Sequence, residues 1–365
     1  MKITAIETMV VAMPMLIEGD VLPRTSGATR TQMETLLVRI DTDAGVSGWG
    51  EGFGHRIHVA TRAALDSFIG PMCIGRDPTD ISSLVDHLQR NLAGVGRNGP
   101  AIYALSAIDI ALWDIAGKLA GLPLYRLLGG GERASLPAYA SLLRYGEPHA
   151  VAHYTERALC RGYRHIKLHE ITEAPIRAAR EVAGPAVPLM VDCNCPWTVD
   201  EAQRMAQLLA PLQLKWLEEP VWPPEDHRGL AQVQARGGIA TAAGENAMLP
   251  EFKGLFEAGA ITYAQPSVTK VGGITQMRKV MALADAFGVE VVPHSAYFGP
   301  GLLASIHCIA AMPREQLVER YDADFECNPL HEAIDPGPDG RIAVPQGPGL
   351  GHDPDPALIE RLRVA

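Results

Sequence analysis

The sequence predicts an α/β fold, a parallel β/α barrel preceded by a smaller α+β domain, on three observations. Three acids each close a short apolar run: Asp192 after PLMV, Glu218 after LKWL and Glu245 after IATAAG. Their spacings are 218 − 192 = 26 and 245 − 218 = 27, about the length of a strand, a loop, a helix and a return loop in a repeating β/α unit. Before this series the chain reads instead as strands followed by helices, the order of an α+β domain. Each acid would then stand at the same place in three successive units. In a parallel barrel that place is the C-terminal mouth, where active sites are built.

The elements follow in order. Residues 2–12 and 34–41 (ETLLVRID) read as strands, and DTDAGVSGWGE, from Asp41 to Glu51, reads as a hairpin turn running into a third. Helical patterns cover about Val59 to Gly70 and about Pro78 to Leu92. In AIYALSAIDIALWDIAGKLAG, Leu105, Ile108, Leu112, Ile115 and Leu119 recur at helical spacing, with Gly121 and Pro123 as stops. This helix is apolar on most of its circumference and is expected to be buried between domains. Gly129-Gly130-Gly131 marks passage into the barrel, which opens with the strand SLPAYASL. The expected division is 1–125 for the first domain, 126–335 for the barrel and 336–365 for a C-terminal strap. The strap is rich in Pro and Gly from Pro336 to Pro356, shows no regular pattern, and is expected to be ordered and to return to the first domain.

Other polar groups extend the acid series in both directions. Lys167 and His169 end GYRHIKLH, with 192 − 167 = 25; Ser267 and Lys270 follow AITYAQP. His294 ends VEVVPH, with 294 − 267 = 27, and Glu319 ends QLVE, with 319 − 294 = 25. Seven successive units thus present a polar group where the strand should stop, one ring around one pocket. Acids at strand ends are often merely solvated, or cap the next helix. Three in step would repel one another strongly unless a cation sat between them. An all-oxygen set points to a hard divalent ion, Mg²⁺ before Zn²⁺ or Cu²⁺.

The formal charge of −10 with pI ≈ 5.6 argues against nucleic acid or an anionic membrane as partner. It leaves room for an acidic small molecule met by locally concentrated cations. The cysteines, Cys73, Cys160, Cys193, Cys195, Cys308 and Cys327, show no zinc-ribbon spacing. They read as reduced structural thiols, with Cys193 and Cys195 expected to point to opposite sides of the chain. The N-terminal MKITAIETMVVAMPM is interrupted by Thr and Glu before it could make a signal-peptide core, and no run approaches a membrane span. The expectation is a cytoplasmic protein.

ALSAIDIALWDIAGKLAGLPLYRLLGG, Lys167-x-His169, VDCN at Asp192, WLEEP at Glu218, GEN at Glu245, KVGGIT from Lys270 and PHS at His294 together resemble the mandelate racemase branch of the enolase superfamily. The resemblance covers nearly the whole chain. It implies an α+β capping domain over a modified (β/α)₇β TIM barrel, and one Mg²⁺ per subunit held by Asp192, Glu218 and Glu245. It also implies removal of the α-proton of a carboxylate substrate to give an enediolate, whose charge the metal offsets, with a Lys or His base beside it. Together with the buried helix it suggests a homo-oligomer.

In the family the second position of the Lys167-x-His169 motif is commonly a Lys base whose pKa the first lowers; here it is His169, which still serves as a base near neutrality. Either His169 or Lys167 takes the proton, or His169 only hydrogen-bonds a substrate hydroxyl. On the other face, the family pairs the histidine matching His294 with an Asp where this chain has Ser267, so the imidazole lacks the anion that would raise its pKa and fix its tautomer. Lys270 contacts substrate or pairs with a neighbouring acid. Glu319 matches an acid that binds the substrate carboxylate when protonated, the alternative being an ion pair. Asn194, two residues past Asp192, is a further substrate-binding candidate.

Specificity is expected from two capping loops, near residues 14–30 and 52–58, which carry Arg24, Arg30, His55, Arg56 and His58. As a set these favour a polar, even dianionic, sugar acid, with Phe53 and Tyr297 as an apolar wall. The preferred expectation is a Mg²⁺-dependent sugar-acid (aldonate or aldarate) dehydratase in which His294 assists loss of the β-hydroxyl. A racemase or epimerase, a lactone cycloisomerase, and a non-catalytic metal-dependent binding protein are the alternatives.

Overall fold

The structure, a computed structural model, describes residues 1–18, 21–25 and 28–364. Three antiparallel strands, β1 (Ile3–Leu16), β2 (Gln32–Thr42) and β3 (Ser47–Gly52), open the chain. β1 pairs with β2 from Ile3↔Thr42 to Pro14↔Gln32, and β2 with β3 from Leu36↔Gly52 to Asp41↔Ser47. The β2–β3 turn needs Gly45, whose φ is +75°. Three helices follow: α1 (His58–Ala64), α2 (Ile81–Asn91) and α3 (Pro100–Ala120). The first expected helix continues past α1 as a wider π turn at Leu65–Ile69 and a short turn at Gly70–Cys73.

α3 begins with Pro100 in its first turn and ends at Gly121, which is left-handed at φ 64°. Its backbone lies directly on β3. A Cβ on Gly50 would stand 2.0 Å from Ala107 O, and one on Gly48 2.2 Å from Ala111 O. Three polar residues on α3 tie it to later chain. Ser106 Oγ accepts the Gly272 N–H at 3.0 Å, Asp109 Oδ1 the Thr275 N–H at 2.9 Å, and Asp114 Oδ1 the Leu350 N–H at 2.7 Å. Among the described residues α3 is the one helix long and apolar enough to cross a membrane, and most of it is buried in the core.

The second half repeats strand and helix. The strands are β4 (Ser135–Ser141), β5 (Ile166–Leu168), β6 (Leu189–Asp192), β7 (Trp216–Glu218), β8 (Thr241–Ala243), β9 (Tyr263–Ala264), β10 (Glu290–Val291) and β11 (Val318–Tyr321). The helices between them are α4 (Pro148–Cys160), α5 (Glu173–Ala183), α6 (Val199–Leu209), α7 (His227–Arg236), α8 (Leu249–Glu257), α9 (Gly273–Phe287) and α10 (Pro300–Ala310). Neighbouring strands pair in parallel from β4 to β10, and β11 pairs back onto β4. This is the (β/α)₇β order. Between β10 and β11, Ser295 spans the seam: its N–H donates to Glu319 Oε2 at 2.9 Å and its Oγ to Glu319 O at 2.9 Å.

Tyr139, Met190, Trp216, Ala242, Val292 and Leu317 form an apolar cluster, so the barrel is a packed core closed below its mouth. The tail contains regular structure that its Pro/Gly content hides. Arg341–Ala343 pairs antiparallel with β4, and α11 (Pro356–Leu362) leads to Val364, whose N–H donates to Val10 O at 2.9 Å.

Candidate active site

The strand ends converge as the spacing predicts. One oxygen from each of Asp192, Glu218 and Glu245 lies within 4.8 Å of the others. Asp192 is the last residue of β6 and Glu218 the last of β7, while Glu245 lies two residues beyond β8. Burial and the neighbouring Asp192 charge push the Glu218 carboxyl well above its ordinary range. Burial acts on Asp192 too, but the His169 hydrogen bond and the Lys167 charge outweigh it and hold Asp192 below its ordinary range. Three crowded oxygens, one of them driven toward its neutral form, are a donor set that a hard divalent cation fits, because its charge would remove the repulsion.

Lys167 and His169 reach the same acid from one strand. Lys167 Nζ lies 3.0 Å from Glu218 Oε1, 3.7 Å from Asp192 Oδ2 and 2.7 Å from Glu319 Oε1. Although burial opposes its charge, Glu218 and Glu319 raise its pKa well above the ordinary value. Lys167 is fully buried and lies beneath the pocket. Glu319 falls inside β11, where its carboxylate meets Lys167 below the mouth, and that charge overcomes burial to hold it down at about 2. In this structure Glu319 forms the ion pair that was the alternative to its contact with substrate. His169 Nε2 is 3.3 Å from Asp192 Oδ2, and its Nδ1–H donates to Leu142 O.

On the opposite side, His294 Nε2 lies 3.1 Å from Glu245 Oε2 and Lys270 Nζ 3.0 Å from Glu245 Oε1. Lys270 also stands 4.2 Å above the Phe53 ring. His294 Nδ1 faces two hydroxyls, Ser267 Oγ at 3.2 Å and Tyr297 OH at 3.3 Å. Burial lowers the His294 pKa despite the Glu245 charge. Ser267, expected at the substrate, stands behind His294, fully buried and bonded to Tyr297 OH. Tyr297 likewise packs behind His294 and is not part of the pocket wall.

Above these groups opens a pocket of about 390 Å³. Arg24, Arg30, His55, Arg56 and Phe53 from the two capping loops line it, as do Asn194 and Lys270. His58 instead starts α1. Residues 19, 20, 26 and 27 of the first loop lie outside the described residues. Burial, with the charges of Arg30 and Lys270, pushes His55 down to about 3.

Several wall residues escaped the sequence reading. Arg144 is one, although counting one period back from His169, 169 − 25 = 144, lands on it. Cys195 is another. Asn194 and Cys195 have φ of 53° and 55°, so the chain is not extended there, and Cys195 turns to the pocket beside Glu219 while Cys193 is buried. Trp222 and Tyr321 also line the pocket. All six cysteines are free thiols.

Comparison with known proteins decides the family. Residues 5–129 match the family model described as the mandelate racemase / muconate lactonizing enzyme N-terminal domain, and residues 150–358 the one described as enolase C-terminal domain-like. The chain belongs to the mandelate racemase/muconate lactonizing enzyme family of the enolase superfamily. A 3,6-anhydro-alpha-L-galactonate cycloisomerase of Streptomyces coelicolor is 33% identical over 91% of this chain and 92% of its own. A D-xylonate dehydratase of Haloferax volcanii is 31% identical over 89% of this chain and 84% of its own. A solved structure of a racemase from Streptomyces coelicolor with bound magnesium superposes with a TM-score of 0.85 at 30% identity, covering 99% of this chain and 100% of that one.

Proposed function

We propose that this chain is a Mg²⁺-dependent enzyme that takes the α-proton from a sugar acid and, in the preferred reading, expels the β-hydroxyl as water. The observation that carries the reading is the placement of two histidines on opposite sides of one acid triad, His169 Nε2 at 3.3 Å from Asp192 and His294 Nε2 at 3.1 Å from Glu245. Asp192, Glu218 and Glu245 would hold the ion. Bound there, it supplies electrostatic stabilisation for a carboxylate that gains a second negative charge as its α-proton leaves.

The chain's own residues do the rest. The Nδ1–H of His169 is committed to Leu142 O, which leaves the Nε2 lone pair as the proton acceptor. Lys167 compensates charge beneath the triad, so His169 is the base. At Nδ1, where the family has an Asp, His294 faces hydroxyls, and burial lowers its pKa despite the Glu245 carboxylate at Nε2, so once protonated it gives up its proton readily to a departing hydroxyl. One proton passes from Cα to His169 and one from His294 to the leaving oxygen. Water departs, and the enol that remains tautomerises to a 2-keto acid. Arg24, Arg30 and Arg56 would meet the polar far end of the substrate.

The second reading is a cycloisomerase acting on a sugar-acid lactone or anhydro ring. Ser267 in place of the family's Asp favours it for a lactone, whose departing carboxylate needs little help from His294 as an acid, and the likeness to the cycloisomerase above favours ring chemistry in general. Incubating the Mg²⁺-loaded protein with a library of sugar acids and their lactones separates the two. Both give a 2-keto acid that semicarbazide traps; the dehydratase makes it from an open-chain acid with loss of one water, and the cycloisomerase makes it from a lactone or anhydro acid as an isomer of unchanged mass, which mass spectrometry tells apart. Conversion of no member by protein that binds Mg²⁺ would contradict both.

A further inference from the structure

We propose that Arg144 is a positioning residue that locks the end of β5 to the end of β6, so that His169 and Asp192 keep one geometry. This rests on the reading of Asp192 as a metal ligand and His169 as the base. Arg144 follows β4, and its guanidinium crosses two neighbouring strand ends. Nε donates to His169 O, and Nη2 donates to Cys193 O at 3.3 Å and to Asn194 Oδ1 at 3.0 Å. Asn194 passes the constraint on: its Nδ2 and its N–H both donate to Asp192 Oδ1, at 2.9 and 3.0 Å.

The segment under this clamp needs holding. Asn194 and Cys195 are consecutive left-handed residues, at φ 53° and 55°, a conformation Asn accepts but Cys rarely adopts. Arg144 grips the carbonyl just before them and the side chain of the first. The rigid fork of Arg144 holds three acceptors at two strand ends at once, a task the single-point ammonium of lysine cannot do.

The test measures Mg²⁺ binding to substrate-free protein by calorimetry, together with steady-state kinetics, for wild type, Arg144→Gln, Arg144→Lys, Asn194→Ala and the Arg144→Gln/Asn194→Ala double variant. Arg144→Gln should weaken Mg²⁺ binding and lower kcat, each by about 10- to 100-fold, with KM within about twofold of wild type. Arg144→Lys should not restore either. For Mg²⁺ binding the double variant should be no worse than the weaker single variant, because both changes break one chain of contacts. A raised KM with kcat and Mg²⁺ binding intact would make Arg144 a substrate contact and overturn the proposal, as would additive losses or none. Should Arg144→Gln not fold, Arg144→Lys carries the same expectations. If wild type binds no Mg²⁺, or His169→Asn keeps full turnover, the reading of the site fails instead.

Discussion

Lys167 Nζ lies 2.7 Å from Glu319 Oε1, and both side chains are fully buried. The pair sits under Asp192 and Glu218, so one ammonium faces three carboxylates. Buried charges of this kind are tolerated only when compensated, and removing one partner of a buried pair costs about 3–5 kcal/mol. Lys167→Gln should therefore destabilise the protein by about that much, and Lys167→Gln/Glu319→Gln by less, since the second change removes a charge the first leaves unpaired. Denaturant unfolding of the three proteins checks the order.

Divalent cation should stabilise the fold by mass action. At a Mg²⁺ concentration 100-fold above its dissociation constant the gain is about 2.7 kcal/mol. Calorimetric unfolding with Mg²⁺ and with a chelator should show it in wild type, and Glu245→Gln should lose most of it.

Asp109 links the first domain to α9 through the Thr275 N–H at 2.9 Å. Burial pushes its carboxyl up to about 7, against hydrogen bonds from Thr275 that pull the other way. A folded-state pKa raised above the unfolded value near 3.8 means that the folded protein holds the proton more tightly. Its contribution to stability is then fully present below about pH 4 and is lost as pH rises through about 7, with a slope of at most about 1.4 kcal/mol per pH unit. Asp109→Asn, which stays neutral, should flatten stability over that window. Equilibrium unfolding between pH 4 and 8 measures the difference, and an unchanged slope would refute the assignment.

Gly50 lets β3 rest on α3. A Cβ there would meet Ala107 O at 2.0 Å, a backbone atom that cannot swing aside, so Gly50→Ala should cost about 1–3 kcal/mol or more. Thermal unfolding reads the loss directly.

The sequence carried the frame because its physics is periodic. A repeating β/α unit put His169, Asp192, Glu218, Glu245 and His294 around one mouth, and the structure places them there. Arg144 lies at a similar interval before His169, but the apolar run SLPAYASL stops at Leu142, so no strand-end pattern points to it. What the period could not convey was depth. Glu319 and Lys167 read as mouth residues, yet a side chain inside a short strand lies lower than one in the loop after it, and there they meet each other. Nor could spacing reveal the left-handed turn at Asn194 and Cys195, which depends on contacts from another strand. In the tail, Arg341–Ala343 owes its strand to pairing with β4, a tertiary cause that local composition does not express.

The most direct measurement of the central claim follows the α-proton itself. Mg²⁺-loaded wild type and His169→Asn are incubated in D₂O with the sugar acid found in the library, and the α-proton signal is followed by NMR. Wild type should exchange or consume that proton, and His169→Asn should do so about 10²- to 10⁴-fold more slowly while binding Mg²⁺ and unfolding like wild type. Equal rates for the two proteins would show that His169 is not the base and would contradict the account.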